Sequence, residues 1–288
     1  MSNTPSFHPN KTTSSALLSA EDLLSSLDSD CLKIFDVRGT WKTPARALYQ
    51  DYLEGHIPGA IFIDWTKDFL EQNCPLNLAS VSDLQRAELS FKKLGINKHD
   101  LVVIYDDYHH MFAGRIWWAM KYLGFENVKV LNGGWKKWTA STFPISTEIP
   151  TVDPGSYKPQ QENKWRVDLD DFISKKEMAC VLDARGNSNY AGKKDEPRSG
   201  HIPGAINLPY HLFLDAETGL FLEPANIKDI FDKHIHNWHR CKIISSCGSG
   251  YAGTVVILAL MELGVNASLF DGSFAVWRQD ISRNVEQS

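Results

Sequence analysis

The chain has 288 residues and a formal net charge of −5, with 30 Lys and Arg set against 35 Asp and Glu. That length suits two domains of about 140 residues, each long enough to bury a core, and the interspersed charge excludes a footprint for nucleic acid or an anionic membrane. No apolar run approaches the roughly 20 residues that span a bilayer, and the irregularly spaced Cys31, Cys74, Cys180, Cys241 and Cys247 make no disulfide framework, so a cytoplasmic protein is expected.

Residues 1–15 lack the basic flank and apolar stretch of a signal peptide and read as a disordered leader. A first domain over 16–145 opens with an apolar strand, Ile34-Phe35-Asp36-Val37-Arg38, that ends in Asp-x-Arg. The turn Gly55-His56-Ile57-Pro58-Gly59-Ala60-Ile61 leads to another strand, and helical periodicity runs from Val81 to Leu94. Leu101 to Tyr105 reads as a strand that enters Asp106-Asp107-Tyr108-His109-His110-Met111-Phe112, a bulky acidic loop unsuited to cradling an anion. Trp117 and Trp118 lie on the helix that follows, either in the core or on the wall of a cleft. Residues 146–165, rich in Pro, Gln, Asn and Lys, read as a linker.

The second domain, 166–288, repeats these landmarks. Val181-Leu182-Asp183-Ala184-Arg185 matches the first strand, and Gly200-His201-Ile202-Pro203-Gly204-Ala205-Ile206 is identical to the earlier turn. Asp271-Gly272-Ser273 with Trp277 matches Asn132-Gly133-Gly134 with Trp138. A repeat of this length means one domain present twice, and strands alternating with helices imply parallel sheets covered on both faces. His234, His236, His239 and Cys241 have zinc-ligand chemistry without a familiar spacing, so no metal is expected.

The halves differ where strand Lys242 to Ser246 runs into Cys247-Gly248-Ser249-Gly250-Tyr251 and helical periodicity resumes. A cysteine at a strand's carboxyl end, followed by small residues, meets converging backbone N–H groups at a helix N-terminus. Such donors favour the thiolate, the form that attacks electrophiles; the plainer reading is a buried structural cysteine. A cysteine phosphatase needs an arginine six residues on, where this chain has Gly253.

Together these residues resemble the tandem rhodanese-type sulfurtransferases, which combine a first domain without the cysteine, His-Ile-Pro-Gly-Ala turns in both domains and a catalytic cysteine loop in the second. The likeness covers nearly the whole chain after the leader. Cys247-Gly248-Ser249-Gly250 is similar to the 3-mercaptopyruvate sulfurtransferase branch; the thiosulfate branch usually carries basic residues after the cysteine. Two departures stand out: Tyr251-Ala252 where Val-Thr is usual, and only Ser199-Gly200 between Arg198 and His201.

The resemblance implies an α/β fold of two tandem rhodanese-like domains, each a mostly parallel sheet with helices on both faces, inactive over 16–145 and catalytic over 166–288, with no cofactor. It nominates Cys247 as nucleophile, Ser249 and His56 for a proton relay, and Arg185 and Arg198 to grip a substrate carboxylate, with Gly248, Gly250 and Tyr251 around the donor. The relay's aspartate has no match in Arg46 to Gly55, and His56, as repeat partner of His201, equally suits a turn-stabilising role. Arg185 and Arg198 have plainer readings as partners of Asp183 and Glu196. Gly248 and Ser249 place no cation in the loop for a thiosulfate dianion, whereas a mercaptopyruvate carboxylate matches arginine's planar fork. The expected partners are a small sulfur donor and an acceptor: a thiol, cyanide, a thioredoxin-like dithiol or a partner protein taking a persulfide relay.

Overall fold

The computed structural model describes residues 15–71, 73, 75 and 78–288, so the expected leader, apart from Ser15, and Cys74 lie outside the described residues. The first half runs β1 (Leu17–Leu18), α1 (Ala20–Ser26), β2 (Leu32–Asp36), the short antiparallel pair β3 (Gly39–Thr40) and β4 (Arg46–Ala47), α2 (Tyr49–Glu54), β5 (Ala60–Phe62) and α3 (Leu84–Lys93). It continues with β6 (Leu101–Tyr105), α4 (Met111–Tyr122), β7 (Val128–Leu131) and α5 (Gly134–Ala140). The second half runs β8 (Arg166–Val167), α6 (Leu169–Lys175), β9 (Ala179–Asp183), α7 (Asn187–Ala191), β10 (Ile206–Asn207), α8 (Pro224–His234), β11 (Lys242–Ser246), α9 (Ala252–Glu262), β12 (Ser268–Phe270) and α10 (Ser273–Trp277).

Each half builds one five-stranded sheet, β1-β7-β6-β2-β5 and β8-β12-β11-β9-β10, the same order in both. All pairings in the two sheets are parallel. The strands beginning at Leu101 and Lys242 are the central ones; both are buried over most of their length, which is why they read as unbroken apolar runs. The helix expected over Val81 to Leu94 forms as α3, started by the Asp83 carboxylate accepting the Arg86 N–H at 2.8 Å and closed by Lys92 and Lys93 near its negative end.

The halves meet through α4 and α9. Every residue of α4 is buried, as its apolar character on all sides demands. The two helices cross at Gly114, where a Cβ would stand 2.8 Å from Thr254 Oγ1. The resulting core is continuous, with Trp65 and Phe112 of the first half in one cluster with Tyr251 and Val255 of the second. Trp117 and Trp118 belong to this core rather than to a cleft wall; their indole N–H groups donate to the carbonyls of Val128 and Trp165. The segment after Ser146 has little regular structure but packs along the first half, with the Gly155 N–H donating to the Lys92 carbonyl at 2.9 Å.

Candidate active site

Cys247 stands at the carboxyl end of central strand β11, where an open parallel sheet presents groups to ligands. It is 2% exposed, and the five-residue turn Cys247 to Tyr251 folds back over its sulfur. Gly250 takes φ +91°, which a side chain would oppose, and aims its N–H at Cys247 Sγ from 3.1 Å. The first turn of α10 grips the same loop, with the Phe274 and Ala275 N–H groups donating to the carbonyls of Cys247 and Gly248.

Ser273 completes the cradle. Its Oγ accepts the Cys247 N–H at 3.1 Å, donates to the Phe270 carbonyl at 2.9 Å and lies 3.9 Å from Sγ. It holds φ 53°, the left-handed conformation of its repeat partner Gly134, which is also at φ +53°. A β-carbon in that conformation is strained, so the hydroxyl's place beside the cysteine is the gain that accompanies a serine here. The signal was readable as the one changed residue when Gly133-Gly134 is set against Gly272-Ser273.

A cavity of about 430 Å³ opens over the turn, lined by Gly248, Ser249, Arg185, Asn189, Phe274 and Arg278 among others. Gly248 and Ser249 thus both border this cavity. Tyr251 does not. Its ring is buried and packs on Trp41 at 4.8 Å, Trp65 at 5.5 Å and Phe112 at 6.1 Å, all in the first half. It anchors one half to the other, and the cavity lining does not include it.

Arg185 lines the cavity, yet most of its guanidinium is committed. Nε and Nη2 grip the Asp183 carboxylate, and Nη2 also donates to the Gly200 carbonyl at 2.7 Å. Arg38 does the same in the first half: it pairs with Asp36, donates to the Gly55 carbonyl at 2.6 Å and stacks on Trp135 at 4.4 Å, as Arg185 stacks on Phe274 at 4.3 Å. Burial opposes the Arg38 charge, but attraction and hydrogen bonding to Asp36 outweigh it and raise its pKa. An arginine pair repeated in the half without a nucleophile is a device of the fold. Nη1 of Arg185 has no partner among the described residues and is the atom left for a ligand.

The expectation for Arg198 is corrected. Its Nη1 and Nη2 donate to the carbonyls of Arg283, Arg278 and Asp280 at 2.7–2.9 Å, and it is absent from the cavity lining. It braces the chain after α10. The residue that this brace presents is Arg278, which lines the cavity and has no acidic partner among the described residues. Sequence gave no hint of it, because neither repeat nor motif singles it out.

His56 is also placed differently from the relay reading. Its Nδ1 lies 2.7 Å from the Tyr52 carbonyl and its Nε2 3.0 Å from the Glu148 carbonyl, which leaves neither ring nitrogen for Ser249. His201 repeats the arrangement, with Nδ1 2.9 Å from the Tyr190 carbonyl and the ring stacked on Tyr190 at 3.7 Å, as His56 stacks on Tyr52 at 4.0 Å. The turn-stabilising role thus accounts for both histidines.

The acidic loop of the first half overturns a further expectation. Asp106, the repeat partner of Cys247, accepts four backbone N–H groups: those of Tyr108 and His110 on Oδ1, and those of Phe112 and Ala113 on Oδ2, at 2.9–3.1 Å. The loop does cradle an anion, its own carboxylate.

Comparison with known proteins agrees with the duplicated geometry. A model of the rhodanese-like domain matches twice, over residues 19–141 and 166–280. The 3-mercaptopyruvate sulfurtransferase of Escherichia coli K12 is 30% identical over 271 residues, covering 90% of this chain and 93% of that protein. The thiosulfate sulfurtransferase of Rattus norvegicus is 28% identical, covering 90% and 89%. The crystal structure of SseA from Escherichia coli, a 3-mercaptopyruvate sulfotransferase, superposes with a TM-score of 0.81 at 28% identity, over 90% of this chain and 99% of that one. Two family matches, one on each five-stranded sheet, make this chain a member of the rhodanese-like family with two tandem rhodanese domains.

Proposed function

We propose that this sulfurtransferase takes sulfur from 3-mercaptopyruvate onto Cys247 and passes it to a thiol or another nucleophile. The observation that carries the reading is the joining of a cradled sulfur to a cation-lined cavity: the Gly250 N–H on Cys247 Sγ, and Arg185 and Arg278 beside Gly248 and Ser249.

The Cys247 thiolate attacks the donor's sulfur. A sulfur–sulfur bond forms, the donor's carbon–sulfur bond breaks, and its electron pair leaves on the pyruvate enolate, which takes up a proton to give pyruvate. Cys247 is then a persulfide. An acceptor thiolate attacks the outer sulfur and returns Cys247 as thiolate, so no external oxidant or reductant enters. The Gly250 N–H faces Sγ, which carries the negative charge before the attack and again when the acceptor has taken the outer sulfur. Arg278, with Nη1 of Arg185, takes the donor's carboxylate.

Arg278 and Nη1 of Arg185 also suit a thiosulfate dianion; Lys193, in the same lining, is paired with Glu196. One comparison separates the readings: each donor is supplied in turn to the wild type and to Cys247→Ser, with pyruvate or sulfite and the intact mass followed. The proposal expects pyruvate release and a mass gain of one sulfur atom in the wild type alone. Faster turnover of thiosulfate would move the assignment to that donor; equal turnover by Cys247→Ser would remove the persulfide. As for setting, no helix among the described residues is long and apolar enough to cross a membrane; a cytoplasmic location and the acceptor's identity are part of this proposal.

A further inference from the structure

The most buried charged cluster in contact with the cysteine turn joins one cation from the half that has no nucleophile to two residues of the half that has one. Arg115 lies in the middle of α4, 1% exposed. Its Nη2 donates to the Ala79 carbonyl and pairs at 2.9 Å with Asp271 Oδ1, which is equally buried. The other Asp271 oxygen accepts Arg166 Nε at 2.9 Å and the Val81 N–H at 3.2 Å. Burial works against the Arg166 charge, but Asp271 more than offsets it and raises the Arg166 pKa. Two guanidinium groups therefore share a single carboxylate, leaving one positive charge in excess within the protein.

That excess has a direction. Nε and Nη1 of Arg115 are buried and without a hydrogen-bond partner, an exception among native polar groups that calls for a reason. A Cβ on Gly250 would stand 3.0 Å from Nη1, so the free edge of Arg115 lies beside the residue whose N–H points at Cys247 Sγ. The carboxylate end of the pair is tied to the same sulfur, because Asp271 is two residues before Ser273, whose Oγ holds the Cys247 N–H. The fold does not demand an arginine here. With Asp106 aligned on Cys247, the turns are equal in length and Arg115 falls on Val256, an ordinary core residue.

We infer that Arg115 is a positioning residue that lends the Cys247 sulfur its countercharge from beside Gly250, favouring negative sulfur as thiolate and as persulfide. A fixed positive charge in a region of low dielectric favours a nearby anion, and with Arg166 partly exposed and the Arg115 guanidinium over the Trp118 ring at 4.5 Å, an ionised sulfur is the anion that Arg115 would offset at the turn. The remaining charged pair at the turn, Arg185 with Asp183, is balanced within itself. The inference rests on Cys247 being the sulfur-bearing nucleophile, but not on the identity of the donor.

The test is alkylation of Cys247 by iodoacetamide in the full chain, read by peptide mass at neutral and at strongly alkaline pH, which needs neither donor nor acceptor. Arg115→Met is expected to slow the neutral reaction about tenfold and to match the wild type at alkaline pH, where the thiol ionises unaided. Arg115→Lys, which keeps the charge, should recover most of the neutral rate. Unchanged neutral alkylation in Arg115→Met, or an equal loss at both pH values, would overturn the inference and leave Arg115 a brace between the halves. If Arg115→Met does not fold, Arg166→Gln, at the half-exposed cation of the cluster, gives the second reading: a neutral loss of about threefold supports the countercharge and no loss overturns it. Failure of 3-mercaptopyruvate as donor in the experiment above leaves this result untouched.

Discussion

The turns after β6 and β11 are the same length and stand on the same central strand, yet one holds a carboxylate and the other a sulfur. Asp106 fills its cradle with four backbone N–H groups on its own two oxygens, so that site is permanently occupied and has no lone pair to spare. Cys247 receives one N–H, from Gly250, with the Ser273 oxygen standing 3.9 Å away, so its sulfur remains free to gain a second sulfur and lose it again. The fold supplies an anion cradle twice. Residue identity decides whether it is a structural plug or a place for chemistry.

The comparison can be broken most severely at the plug. Asp106→Ala would strand four N–H donors, three of them buried, and should lower stability by about 4 kcal/mol, measured by urea unfolding; a loss no larger than for an exposed alanine substitution would mean that the carboxylate is not holding the loop. Next comes the pair Gly134 and Ser273. A Cβ at Gly134 would lie 2.1 Å from the Asp106 carbonyl, so Gly134→Ala should destabilise by about 3 kcal/mol. Ser273→Gly relieves its left-handed strain, and its unfolding free energy should stay within about 1 kcal/mol of wild type while sulfur transfer falls about tenfold. Equal activity in Ser273→Gly would remove the hydroxyl from the site.

The donor end gives a smaller effect. Arg278→Gln is expected to raise KM for 3-mercaptopyruvate about tenfold with little change in kcat, whereas Arg185→Lys should act mainly on stability, and Arg38→Lys should do the same in the first half. A KM change confined to the Arg185 variant would reverse the assignment of the two arginines.

The smallest prediction concerns His110, the repeat partner of Tyr251. Burial pushes its pKa below the ordinary histidine value, and its Nε2 accepts the Gly133 N–H at 2.9 Å, so the folded chain resists protonation there. The unfolded chain binds that proton below about pH 6.5; stability from this group is therefore present above that value and lost as pH falls through it. His110→Gln should flatten the acid side of the stability curve by up to about 1 kcal/mol, and an unchanged curve would show that another group sets it.

Much of this was legible as pattern. Identical turns at His56 and His201, two Asp-x-Arg strand ends and central apolar runs entering loops of equal length reveal a duplicated parallel-sheet protein, and Cys247 is marked by its absence from the matching place. These are local signals, carried by neighbours in the chain. The Asp106 cradle is local and turns on which backbone N–H groups the loop brings round; three other residues depend on distant chain. Arg198, Tyr251 and His56 have the right chemistry, but what they meet is set by segments far away: the carbonyls of 278–283, the aromatic rings of Trp41, Trp65 and Phe112, and the carbonyl of Glu148.

The order of residues thus determined that there are two copies of one α/β unit, where their central strands lie and which one carries a nucleophile, because strand periodicity, turn glycines and repetition are properties of short stretches. Packing decided which cations face the cavity and which are consumed by backbone oxygens, since an arginine's partners depend on what the fold brings within about 3 Å of it. It also decided that the half without a cysteine supplies Arg115 and the rings around Tyr251, bringing residues more than a hundred positions apart in the chain against one turn.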